Sequence, residues 1–206
     1  MRRGLQSANT SIGYQTYPWL TYSAPIPEGD AGITRTIQHM KGLLYGPVGV
    51  RSLVVRYAAL DAVRGRERGL SEIESIFRWV KDNIEFRGEY NETLQSPECT
   101  LNLRAGDCDD QSLLLAALLA SLGYETRFKT ISMHGEDDYS HVYAQVRDKR
   151  TGQWVSLDST VERAYPGWEP DDISRAATYG AMPSKPALSA ESVIGLGFLA
   201  LGFLAL

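Results

Sequence analysis

Cysteine is scarce: 206 residues contain two, Cys99 and Cys108. That is too few for a secreted disulfide scaffold, and the pair lacks the CxxC spacing of a zinc site. Positive charge is also in short supply, with 21 Lys and Arg against 25 Asp and Glu and a net charge of −4. A broad nucleic-acid surface shows a basic balance, so no nucleic acid is expected as partner. Long apolar runs are missing until the last fourteen residues, VIGLGFLALGFLAL. As a helix those reach only about 21 Å, short of the roughly 20 residues that a bilayer span needs. Membrane contact by this tail is therefore a minor expectation. The opening MRRGLQSANTSIGYQ has arginines but no apolar stretch behind them, so no secretory signal is read there. Nothing in the pattern asks for a cofactor or a metal.

What is present is an ordinary globular mixture, 43% apolar and 22% charged. Charge is divided unevenly. Residues 1–70 hold nine Lys and Arg against four Asp and Glu, and residues 71–206 hold twelve against twenty-one. Complementary packing of the two halves is the plain reading, and a basic patch for an acidic partner is the other. Residues 1–32, rich in Ser, Thr, Tyr, Pro and Gly, read as an extended arm that its aromatics fasten to a surface. Residues 33–165 read as the folded domain, and 166–206 as an irregular linker with an apolar tail.

Within the domain, 33–45 and 47–64 read as helices around Gly46-Pro47. The second has an apolar stripe of Val50, Leu53, Val54, Tyr57, Ala58 and Leu60. Ser71, with Glu74 three residues on, opens a third helix in the manner of a capping box. Ile73, Ile76, Phe77, Val80 and Ile84 share one face of it. Residues 85–106 read as a long connection. The helix 108–122 is apolar on nearly every side and so belongs in the middle of the domain, with Gly123 at its C-terminus. Strands are expected at 124–133, 141–147 and 153–158, the last two as an antiparallel hairpin about the turn 148–152. Residues 159–190 look irregular. Helices ahead of an antiparallel sheet make an α+β layout.

Three residues stand where chemistry could use them. Cys108 heads the buried helix, where free N–H groups and the positive dipole end favour a thiolate and can receive an oxyanion. Asp107, Asp109 and Asp110 act the other way on the thiol. His141 begins a strand and suits a general base and acid. Asp158 ends the neighbouring strand, placed to accept an imidazole N–H and fix its tautomer. Each has a plainer reading alone: a packed cysteine, a surface histidine, a turn-starting aspartate. Together they supply nucleophile, base and orienting carboxylate.

The string Gly106-Asp107-Cys108-Asp109-Asp110, the Leu/Ala helix, Leu122-Gly123-Tyr124, Ser140-His141-Val142-Tyr143 and Trp154-Val155-Ser156-Leu157-Asp158 resembles the transglutaminase-like superfamily over roughly residues 70–160. Its bacterial and bacteriophage members are the most similar in tone. The resemblance implies the papain-like α+β core, with N-terminal helices, a central buried helix and an antiparallel sheet. It further implies a Cys-His-Asp triad of Cys108, His141 and Asp158 that attacks a carboxamide of a protein or peptide through a thioester. Water as acceptor gives a peptidase or deamidase, and a lysine amine gives a crosslink; hydrolysis is the leading expectation. For the second oxyanion donor, Gln95 leads Asn102 and Arg104. Cys99 is expected to be buried.

The alternative is a non-enzymatic virion or assembly protein that keeps the fold and docks through residues 1–32 and 193–206. The implied locations are a host cytoplasm or a phage particle.

Overall fold

The computed structural model describes residues 21–23, 30–65, 67, 69–88 and 93–180. In chain order these form β1 (Thr21–Ser23), α1 (Asp30–Tyr45), α2 (Leu53–Arg64), α3 (Glu72–Asn83), β2 (Glu85–Phe86) and β3 (Thr93–Gln95). There follow α4 (Pro97–Leu103), β4 (Ala105–Gly106), α5 (Cys108–Ser121), β5 (Thr126–Met133), β6 (His141–Arg147), β7 (Trp154–Leu157) and β8 (Ile173–Gly180). The fold is α+β: helices precede a four-stranded antiparallel sheet ordered β7-β6-β5-β8.

Helix α5 lacks a polar face over its middle turns. Leu113, Leu114, Leu115, Leu118 and Leu119 point in every direction from its axis, and all are fully buried. One side meets Val142, Ala144 and Val146 of β6, and the others meet the apolar faces of α1, α2 and α3. Each buried leucine contributes roughly 2 kcal/mol of transfer free energy, so the centre of the molecule is also its main source of stability. Gly123 ends the helix at φ +81°, a left-handed conformation suited to glycine, and Tyr124 N–H closes back on the Leu119 carbonyl at 3.1 Å.

α3 follows its sequence closely. Ser71 and Glu74 form the reciprocal cap, and Ile73, Ile76, Phe77, Val80 and Ile84 are all buried. α2 does not. The helix starts at Leu53 behind the N-cap Ser52, six residues later than the sequence suggests. It buries Val55, Ala59 and Ala62, while Leu53, Val54 and Tyr57 of the expected stripe stand 68%, 54% and 69% exposed. The reason is close approach: two alanines let α2 lie near α5, and Val54 and Tyr57 are left to border an outer groove with Trp79 and Leu101.

Three further readings change. Residues 85–106 are not a bare connection. They hold α4, capped by Ser96 and begun by Pro97, between β3 and β4. Residues 173–180 are not irregular linker, because β8 pairs along β5 from Arg127↔Gly180 to Met133↔Ile173. Hence the ordered sheet runs past residue 165. At the other end α1 begins at Asp30 and β1 pairs with β3, so parts of the stretch 1–32 carry regular structure. The remainder of that arm and the whole of 193–206 lie outside the described residues. Among the described residues no helix is long and apolar enough to cross a membrane.

Candidate active site

The N-terminus of α5 is built from four consecutive polar residues. Asp107 is the N-cap, and its Oδ1 accepts the Asp110 N–H at 3.3 Å. Asp110 returns the bond, its Oδ2 accepting the Asp107 N–H at 3.4 Å. Its other oxygen accepts the Gln95 N–H at 2.7 Å, which ties β3 to the turn. Gly106 is required by space rather than by dihedral: a Cβ there would lie 2.6 Å from the Asp110 Cβ. Cys108 is thus the first residue of a helix whose opening turn is fixed from two sides. Its own N–H is among those that an α-helix leaves without an intrahelical carbonyl.

Across from this turn, β6 begins at His141. Ser112 Oγ of α5 donates to the Val142 carbonyl at 3.1 Å, and the Val142 N–H is near enough to the Cys108 sulfur to favour its anion. The sulfur therefore sits against the backbone of the residue next to His141. The β6–β7 register sets Leu157 opposite Ala144, so Asp158 falls just beyond the end of β7, level with Tyr143. From there its carboxylate reaches along the sheet edge to the imidazole, with His141 Nε2 to Asp158 Oδ2 at 2.7 Å. Nε2 is the nitrogen engaged, and Nδ1 is left as the ring nitrogen for a second partner.

Asp158 is 3% exposed. Burial alone would raise its pKa, but the bond to His141, the imidazole charge, and the Thr160 hydroxyl (2.7 Å) and N–H (3.1 Å) together hold it below the usual carboxylate range. It stays an anion wherever the protein is folded near neutrality. Cys108 is pushed the other way. Burial comes first, then Asp109 and Asp107, with Asp158 adding to them against the pull of the Val142 N–H. Asp109, however, is itself driven well above its ordinary value by burial and by the hydrogen bond and charge of Asp107.

The carboxylates of Asp107, Asp109 and Asp110 lie within 4.8 Å of one another. Their oxygens are committed to backbone N–H groups and to each other, as a helix cap requires, and they do not make an open ligand set.

Of the residues singled out from sequence, Gln95 is buried at the end of β3 against the first turn of α5. Its side-chain Oε1 has no hydrogen-bond partner among the described residues. Asn102 and Arg104 are exposed and line the outer groove beside Trp79, with the Arg104 guanidinium 5.2 Å from that ring centroid. Cys99 is buried in α4. Sequence reasoning missed Gln111, Ser159 and Thr160, which brace the turn and the carboxylate. One signal was available: Asp110-Gln111-Ser112 is a polar run at the start of a helix that is otherwise wholly apolar, and all three side chains are buried.

A family model described as the transglutaminase-like superfamily matches residues 56–159. That span runs from α2 to just past Asp158 and includes Gln95, Cys108 and His141. Among solved structures, a candidate cysteine protease from Cytophaga hutchinsonii superimposes with a TM-score of 0.48 at 20% identity. The superposition covers 69% of this chain and 51% of that one, so the present chain spans about half of its length. No curated protein matches.

Proposed function

Since the chain belongs to the transglutaminase-like superfamily, we propose that it is a cysteine-nucleophile amide hydrolase working through Cys108, His141 and Asp158. One observation carries the reading: a buried, anionic Asp158 bonds the far nitrogen of His141 at 2.7 Å, at the strand end whose next N–H meets the Cys108 sulfur.

The chemistry follows from the charges. The resting sulfur is a thiol, because burial and carboxylates disfavour its anion. Attack on a carboxamide carbonyl therefore has to be concerted with transfer of the thiol proton to His141 Nδ1. Asp158 stabilises the imidazolium that forms and fixes the ring. The new oxyanion is received by the Cys108 N–H at the helix tip and by the Gln95 amide. Collapse of the tetrahedral intermediate breaks the C–N bond. The amine or ammonia leaves with the proton from His141 and a thioester remains on the sulfur. Water, deprotonated by the same imidazole, then releases the acid and restores the thiol. A protein or peptide is the proposed substrate. A lysine amine in place of water would give a crosslink instead.

A second reading is favoured by the same upward push on Cys108: a scaffold that keeps the fold without turnover. Residues 1–32 and 193–206 are its proposed docking elements, in a phage particle or similar assembly.

Iodoacetamide labelling of the native chain at pH 7.5 separates the two. The enzyme reading expects Cys108 to label faster than buried Cys99. It also expects Cys108-dependent release of ammonia or of new peptide N-termini from a glutamine-rich denatured protein. Equally slow labelling of both thiols supports the scaffold and sinks the enzyme.

A further inference from the structure

Gln111 lies one helical turn beyond the nucleophile and is 1% exposed. Both ends of its amide are bonded. Nε2 donates to the Gly106 carbonyl at 3.1 Å, and Oε1 accepts the Ser159 hydroxyl at 2.7 Å. Chemistry fixes this orientation, because a backbone carbonyl can only accept and so must face the amino end. Ser159 is then obliged to donate. Gly106 precedes Cys108 by two residues and Ser159 follows Asp158 directly. A single rigid amide therefore spans the turn that carries the thiol and the loop that carries the carboxylate.

Stability alone does not call for a glutamine here. Replacing Gln111 and Ser159 together by apolar groups of similar shape would be close to neutral, because the Gly106 carbonyl keeps the Arg87 N–H. What the amide supplies is direction and length. It is the one side chain bonded to both loops among the hydrogen bonds of the described residues. Asp158 itself is otherwise held by His141 and by Thr160. The Gly106 carbonyl also accepts the Arg87 N–H at 3.1 Å, so it is a fixed anchor and not a swinging one.

We propose that Gln111 is a positioning residue for the reaction: by clamping Gly106 to Ser159 it sets the separation between the Cys108 thiol and the imidazole that Asp158 holds. This rests on the assignment of Cys108, His141 and Asp158 as one catalytic unit. The amide touches none of the reacting atoms and acts through the two loops.

The test uses the full chain and the rate at which iodoacetamide alkylates Cys108 at pH 7.5, with a thermal melt of every variant. Gln111→Leu removes both bonds. Gln111→Glu keeps the acceptor for Ser159 but cannot donate to Gly106 unless protonated. Ser159→Ala removes the other end and stands in if either glutamine variant fails to fold. Gln111→Leu and Ser159→Ala are each expected to slow alkylation by about tenfold, the scale of a sub-ångström misplacement. The double variant should be no slower than the slower single one, because the two bonds form one bridge. In a His141→Ala background the effects should vanish.

A purely structural role predicts the opposite sign. Loosening the turn would expose the sulfur and speed alkylation in both backgrounds. That result, or an unchanged rate, overturns the proposal while leaving the triad standing, provided that His141→Ala and Asp158→Ala still slow the wild-type rate. If those two variants change nothing, the triad reading itself has failed, and the role of Gln111 falls with it.

Discussion

The caps of α3 and α5 use one device in two environments. In each, an N-cap side chain accepts the N–H three residues on, and the residue there reaches back to the N-cap N–H. Ser71 and Glu74 do this in solvent, at 3.2 and 2.7 Å, and gain what a surface cap gains. Asp107 and Asp110 do it at the edge of the core, at longer distances, with Asp110 fully buried and bonded in addition to Gln95. The surface cap starts a helix. The buried one also fixes which way the first residue of the helix faces, and that residue is the cysteine. A capping box whose carboxylate is withdrawn from water and given a third bond ties its first turn to a second element.

The sharpest way to break the comparison is to delete the returning side chain of each cap. Asp110→Ala leaves the buried Gln95 N–H and the part-buried Asp107 N–H without their carboxylate partner. It should cost about 3 kcal/mol, read as a fall in Tm on the order of 6–12 °C, together with loss of selective Cys108 alkylation. Glu74→Ala should lower Tm by only about 1–3 °C and leave Cys108 untouched. Equal losses at the two sites would mean that burial adds nothing to the α5 cap.

Gly106→Ala should come next in size. Its Cβ would meet Asp110 at 2.6 Å, which forces the cap open without removing any polar group. A Tm loss of roughly 1–3 kcal/mol in equivalent free energy is expected from such overpacking, again with reduced alkylation of Cys108.

Asp109→Asn should act in the opposite direction and depend on pH. Because its folded pKa is raised, Asp109 binds its proton more tightly in the native state than in the unfolded chain. Stability therefore falls as pH rises from about 4, the unfolded value, toward the raised folded one. The asparagine variant, a mimic of the protonated acid, should melt higher than wild type at pH 7.5 and level with it near pH 3.5. Melts at the two pH values check this. For Asp158 the sign reverses: its folded pKa is depressed, so the His141 pairing contributes above pH 4 and is lost only as pH falls below the ordinary carboxylate value.

Legibility in the sequence followed the kind of signal each element carries. α3 and α5 were readable because caps and apolar periodicity are local facts. So was the hairpin of β6 and β7, whose alternation and turn lie within seventeen residues. β8 was not readable, because Ile173–Gly180 is largely exposed and owes its existence to pairing with β5, a partner forty residues away in the chain. α4 was hidden by its length of seven residues, although Ser96-Pro97 marks its start. On α2 the stripe of large side chains misled, since packing selected the small ones. Residue types and order singled out Cys108, His141 and Asp158, and the fold brings the last two together at 2.7 Å. The polar run Asp110-Gln111-Ser112 hinted at bracing, but the bonds from Asp110 to Gln95 and from Gln111 to Ser159 join segments that only the fold brings together.

The most direct check on the central claim is the rate of Cys108 alkylation by iodoacetamide from pH 5 to 9, in wild type and in His141→Ala. If the thiol hands its proton to the imidazole, wild type should react at least tenfold faster near neutrality, and the variant should gain rate only toward the alkaline end. Superimposable profiles for the two proteins would contradict the account.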